Sequence, residues 1–280
     1  MEEVKMSVHM IETRVGTLRV EVIGDRGPTA LLWHSLFVDE RSWDRMLPRL
    51  VGRRRLVVVT GPGHGVSTDP RRRYTLHDCA QAAVQLLDAL SVREPLDWVG
   101  NAWGGHVGIL FAAEWPERCR SVVAFGTPIA ALTRREMRRT RLLMGLYRLL
   151  GPSRTIVDGT TAVLLSPRTI EHDPDAVALV HDCLRRADRR MLRNAIVSIS
   201  IRRPDLSGDL GRVGQPVLIV TGSDHHGFTP DQAREAVGML AQGHFAVVPD
   251  AAYLVPLEAP AASADLVLAL WAGIPAGAAP

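Results

Sequence analysis

The chain has 280 residues, 46% of them apolar and 22% charged, with a formal net charge of +3. This is enough for one large domain with a buried core. The mild, mixed charge and the lack of an aromatic-plus-basic motif argue against nucleic acid as a partner.

Val8 to Val22 reads as a β-hairpin turning at Gly16, with alternation in Val15, Leu18, Val20 and Val22. The continuous apolar run Thr29 to Trp33 predicts a buried strand, which ends at His34-Ser35-Leu36-Phe37. A helix is expected from Glu40 to Leu50, with Trp43, Met46 and Leu50 on one face. Arg55 to Thr60 is the next strand, and Gly61-Pro62-Gly63-His64-Gly65-Val66-Ser67 is a loop. Thr75 is the expected N-cap of a helix reaching Leu90.

The strand Leu96 to Gly100 runs into Asn101-Ala102-Trp103-Gly104-Gly105, and a helix leaves from His106 to about Trp115. Strand, glycine-flanked turn and helix are the arrangement of a nucleophile elbow, G-x-S-x-G, which lifts its central residue above the sheet. The central residue here is Ala102, and a methyl group cannot attack a carbonyl. A strand follows from Ser121 to Gly126.

From Thr127 to about Asp205 the period turns helical and strands vanish. Arg134, Arg135, Arg138, Arg139 and Arg141 form one basic cluster and Arg185, Arg186, Arg189, Arg190 and Arg193 a second, with Leu142, Leu143, Leu146, Tyr147 and Leu150 between. The stretch reads as an inserted helical lid, with its arginines mostly on a solvated face. Strand and helix then alternate again: Pro216 to Thr221, a helix from Pro230 to Leu240, Phe245 to Val248, and a last helix from Val255 to Trp271. The expected division is a core of residues 1–127 and 206–274, a lid of 128–205, and a flexible tail of 275–280. Alternation of this kind gives an α/β fold, a mostly parallel sheet sandwiched by helices, with ligands bound at the carboxyl ends of the strands.

Cys79, Cys119 and Cys183 are widely spaced and odd in number, so they read as free thiols in a reducing compartment, with no disulfide frame and no metal site. No apolar run is long enough for a signal peptide or a membrane span, and a cytoplasmic protein without membrane partners is expected.

Five motifs together, Trp33-His34-Ser35, Gly63-His64-Gly65-x-Ser67, the elbow, Gly222-Ser223-Asp224 and Pro256-Leu257-Glu258-Ala259-Pro260, make the chain resemble the lidded, single-domain α/β-hydrolase superfamily over nearly its whole length. The resemblance places the family nucleophile on Ala102 and the family histidine on Tyr253. Strict spacing from Gly222 places the family acid on His225, and Asp224 is the choice if the turn is shorter. Thr60 stands where an aspartate often opens the glycine loop, and Ser35 where a glycine often follows the first-loop histidine. The backbone N–H groups of Leu36 and Trp103 are the implied oxyanion hole, which survives side-chain changes.

The catalytic candidates are therefore Tyr253, His225, Asp224, Trp103 and Leu36. Trp33, His34, Ser35, Asn101, Ala102 and Tyr147 are expected to line the substrate pocket, and neither cofactor nor metal is expected. His34, His64 and His106 also have plain structural readings, and His226 reads as solvated. With its triad altered, the chain looks similar to the non-hydrolytic cyclases and lyases of bacterial natural-product biosynthesis, polyketide and enediyne tailoring among them. The expected function is cofactor-independent cyclisation, C–C bond formation or rearrangement of a polycyclic aromatic intermediate. A small-molecule receptor and a hydrolase inactivated at Ala102 are the alternatives. The partner is a small apolar or aromatic molecule, and the chain is expected as a monomer or homodimer.

Overall fold

A computed structural model describes residues 5–273. Eight strands form one sheet: β1 (Met6–Thr13), β2 (Gly16–Ile23), β3 (Thr29–Trp33), β4 (Arg55–Val59), β5 (Leu96–Asn101), β6 (Cys119–Phe125), β7 (Val217–Gly222) and β8 (Gly243–Val248). Their spatial order is β1-β2-β4-β3-β5-β6-β7-β8. The pairs β1–β2 and β2–β4 are antiparallel and the other five parallel, as continuous apolar runs joined by helices require.

The helices are α1 (Leu47–Leu50), α2 (Leu76–Ala89), α3 (Trp103–Glu114), α4 (Arg134–Leu150), α5 (Arg154–Leu164), α6 (Pro167–His172), α7 (Pro174–Arg186), α8 (Arg189–Ala195), α9 (Ser207–Leu210), α10 (Pro230–Val237), α11 (Val255–Glu258) and α12 (Pro260–Trp271). Side chains alternate across the sheet. Leu31 and Trp33 of β3 join a core shared with α2, α3 and α10, while Ala30 and Leu32 join the opposite core with Trp43, α1 and α12. Both faces are thus covered.

Two expected helices are broken, each beside a proline. The stretch from Glu40 to Leu50 is a 3-10 turn, Glu40–Trp43, capped by Asp39, and then the single turn α1. Pro48 has no N–H to donate back one turn, so a continuous helix loses a bond there. Pro260 likewise separates α11 from α12. Thr75 caps α2 as expected, in a reciprocal box with Asp78.

Helices α4 to α8 and a π-helical turn, Ile196–Ile201, lie between β6 and β7. Buried Asp69 accepts hydrogen bonds from Arg190 Nη2 at 2.9 Å and Asn194 Nδ2 at 2.7 Å, fastening α8 to the loop after β4. Arg41 spans Asp39 and Asp182 at 2.7 and 2.8 Å, fastening α7 to the loop after β3. The three cysteines are free thiols, Cys79 and Cys119 buried and Cys183 partly so. Among the described residues no helix is long and apolar enough to cross a membrane. The tail expected at 275–280 lies outside the described residues.

Candidate active site

Ala102 sits between β5 and α3 at φ 47° and ψ −98°, a conformation that favours glycine. Packing imposes it. A Cβ on Gly104 would stand 1.8 Å from the Trp33 carbonyl oxygen, and one on Gly100 2.2 Å from the Gly104 carbonyl carbon, so α3 approaches the sheet more closely than any side chain allows. Ala102 N–H donates to Phe125 O at 2.7 Å, and Ala102 O accepts from His106 N–H at 2.9 Å. The backbone at 102 is fixed from both sides, and the side chain it presents is a buried methyl.

The N–H groups of Leu36 and Trp103 donate to no protein acceptor among the described residues. The Leu36 loop is held by His34, whose Nδ1–H donates to Ser35 O at 2.6 Å while Nε2 accepts from Gly61 N–H at 2.8 Å. Burial keeps that imidazole neutral, which suits this division of donor and acceptor. His64 is pushed down to about 3 by burial. Its ring packs against those of His34 and Trp103, with centroids 5.1 and 5.4 Å away. Both histidines are packed into the frame: His34, expected to line the pocket, is fully buried and holds the loop, while His64 lines the neighbouring cavity. Phe37, next to Leu36, takes φ 74° and packs against the core and both clusters of the inserted helices.

Across the strand ends, the ring of Tyr253 lies on that of His225, with centroids 5.0 Å apart. His225 Nδ1 accepts from Gly227 N–H at 3.1 Å, so Nε2 carries the hydrogen. Burial pushes this imidazole down to about 4, leaving it neutral at physiological pH. Its Nε2 and the Ser35 hydroxyl are buried without hydrogen-bond partners. Burial raises the Tyr253 phenol, while the charge of Arg203 draws it partly back. Arg203 enters just after the π-helical turn and donates to Ala130 O. Nothing in the sequence beyond the insert's length pointed to it.

Other expected residues are placed elsewhere. Asp224 turns away from Tyr253, its carboxylate accepting from the Ser223 hydroxyl at 2.9 Å, so His225 is the residue that faces the tyrosine. His226 is exposed. Trp33 does not line a pocket. It is fully buried between Trp98, stacked at 6.2 Å, and Trp103, edge-on at 5.6 Å. The Trp103 indole is equally enclosed, which leaves its backbone N–H as the available group. Asn101 Nδ2 donates to Phe125 O and Tyr253 O, both at 3.1 Å, so this amide ties the frame together. Tyr147 is buried within the insert beside Leu192, Ile196 and Phe37.

A cavity of about 300 Å³ lies next to Phe37 and His64, with Val38, Asp39 and Arg41 on the core side and Leu184, Arg186 and Leu192 on the insert, so that its walls are part apolar and part charged; Ala102, His225 and Tyr253 do not line it. Ala102, Ser35, His225, Tyr253 and the Leu36 and Trp103 N–H groups lie at the carboxyl ends of the strands, tied together by Asn101 Nδ2 on Tyr253 O, by Ala102 N–H on Phe125 O and by the His225–Tyr253 ring contact. Among the described residues no group of three or more His, Cys, Asp or Glu is placed to hold a metal ion.

A family model described as "Alpha/beta hydrolase family" matches residues 30–266. The chain is similar to a pyrrolizixenacetamide deacetylase of Xenorhabdus hominickii, 26% identical over 236 residues that cover 82% of this chain and 86% of that protein. Of solved structures, a thermophilic esterase from Thermogutta terrifontis superposes with a TM-score of 0.86 at 19% identity, covering 97% of this chain and all of that one. The enol-lactonase of Burkholderia xenovorans LB400 gives 0.85 at 20% identity, covering 95% of this chain and all of that one. At these identities the two structures speak for the fold alone.

Proposed function

The chain belongs to the alpha/beta hydrolase family, and from that membership we propose an enzyme that works without a nucleophile on its elbow. The observation that carries this reading is Ala102. The elbow keeps its strained backbone and both unpaired N–H groups, while the position that attacks in a triad enzyme holds a methyl. Loss of a triad removes on the order of a million-fold of hydrolytic rate, leaving only what binding and the oxyanion hole supply. What remains favours chemistry in which a carbonyl oxygen gains negative charge with no covalent enzyme intermediate.

In this reading Leu36 and Trp103 N–H hold that oxygen. Tyr253, with its phenol raised by burial, is protonated at neutral pH and donates the proton. The charge of Arg203 steadies the phenolate that results, and the helical insert excludes water. An enol carbon of the same substrate attacks the carbonyl carbon. The new C–C bond forms, the oxygen takes the Tyr253 proton, and the proton shed by the enol returns to the phenolate. The sum is an isomerisation that needs no cofactor. The substrate class is a carbonyl-bearing aromatic such as a polycyclic natural-product intermediate, and the neighbouring cavity offers it apolar contacts at Phe37, Val38, Leu184 and Leu192 beside the charged Asp39, Arg41 and Arg186.

Mass spectrometry of the protein incubated with such intermediates tests this. A product of unchanged mass and new retention time is expected, formed more slowly by Tyr253→Phe. A gain of one water would sink the proposal, and tight binding without turnover would make the protein a receptor. A second reading, a hydrolase disabled at Ala102, is favoured by the names of the similar proteins: a deacetylase, an esterase and a lactonase.

A further inference from the structure

We propose that α4 is a docking face for an anionic lipid surface. Of its seventeen residues only Tyr147 is buried. Met137, Thr140, Met144 and Tyr147 are the less exposed positions, and their spacing of three and four residues marks the inward side of the helix. The outward side carries Leu142, Leu143, Leu146, Leu149 and Leu150, all exposed, Leu142 at 66% and Leu149 at 80%. Five leucines on one short helix form a contiguous apolar face, which a soluble surface rarely leaves bare.

Charge selects the occupant. Arg134, Arg138, Arg141 and Arg148 flank the leucine face, and Arg135 and Arg139 extend it toward the amino end. All six are exposed, and none forms an ion pair among the described residues. Two of the five arginines of the second cluster are spent on ion pairs, Arg190 with Asp69 and Arg186 with Asp182. Leucines on one side and unpaired arginines beside them are the signature of a helix lying in a membrane interface, leucines among the acyl chains and guanidinium groups at phosphate depth. A second copy of the chain fits worse, because joining two such faces brings arginines against arginines. Such a helix departs from the expectation of no membrane partner, which rests on the lack of a run long enough to span a bilayer and does not weigh a helix lying on its surface.

Flotation with vesicles tests this on the full-length protein. Retention is expected on mixed phosphatidylcholine–phosphatidylglycerol vesicles at low salt, with little on phosphatidylcholine alone and release in molar salt. Each of Arg138→Gln and Arg141→Gln should weaken retention about five-fold. Leu143→Ser with Leu146→Ser should abolish it, with the circular dichroism spectrum unchanged because both side chains are exposed. Absence of retention on the mixed vesicles, or retention indifferent to the leucine changes, would overturn the proposal. So would a stable dimer in light scattering that the leucine changes dissolve, or binding to soluble polyglutamate as tight as to the vesicles, which would mark a general polyanion surface.

Discussion

The phenol of Tyr253 and the imidazole of His225 form a tilted ring pair at 46° where the resemblance implies a histidine and an acid. The imidazole spends Nδ1 on Gly227 N–H and is neutral through burial, so it neither charges the phenol nor relays its proton. A site built this way donates protons better than it withdraws them.

Restoring the nucleophile alone is expected to do little. Ala102→Ser should hydrolyse aryl esters within about two-fold of background, because no base faces the new hydroxyl. Ala102→Ser with Tyr253→His should raise the rate by about a hundred-fold or more, the typical scale of a positioned general base. Rapid hydrolysis by the single variant would favour the disabled-hydrolase reading.

Ala102→Gly should stabilise the fold by about 1 kcal/mol in urea denaturation. The strain of a non-glycine residue at φ 47° is on the order of 1–3 kcal/mol, and the extra freedom that glycine brings to the unfolded chain takes back about half to one. An unchanged midpoint would mean that the strain is no larger than the entropy glycine brings, about 0.5–1 kcal/mol.

Two glycines should respond oppositely to alanine. Gly104→Ala places a methyl against the Trp33 carbonyl and should cost more than about 3 kcal/mol, seen as loss of soluble protein or a collapsed urea midpoint. Gly145→Ala, in exposed α4 with nothing near its missing Cβ, should add about 0.5–1 kcal/mol from helix propensity.

Acid should weaken the fold through its histidines. His225 and His64 are depressed to about 4 and about 3, from an unfolded value near 6.5. Below about pH 6.5 the unfolded chain therefore takes up protons that the folded chain refuses, and stability falls with pH through that window. At about pH 5 each contributes a loss of about 2 kcal/mol relative to neutrality. Urea midpoints across this range should shallow in His225→Phe, and an unchanged slope would count against the burial of that imidazole.

The sheet was legible because runs such as Thr29 to Trp33 are apolar throughout and alternate with helical periods. The elbow was legible because only close packing explains glycines at 100, 104, 105 and 108. The broken helices were less so, since Trp43, Met46 and Leu50 keep helical spacing across the Pro48 break. Whether Asp224 or His225 meets Tyr253 turned on the loop after β7, where Asp224 N–H bonds to Ala251 O and sends its carboxylate outward. Strict spacing from Gly222 gives His225, the residue that faces Tyr253, and what spacing could not exclude was a shorter turn bringing in Asp224. Arg203 arrives through the path of the insert, set by tertiary packing far from its own neighbours in sequence.

The side-chain amide of Asn101 holds the carbonyls of residues 125 and 253 at once. Three segments remote in sequence thereby share one rivet, and none of its bonds involves the side chains at 102 or 253. The side chains at 102 and 253 are fittings on a mount that stands without them. Changing either side chain leaves both Asn101 bonds in place. The scaffold outlives any particular chemistry performed on it.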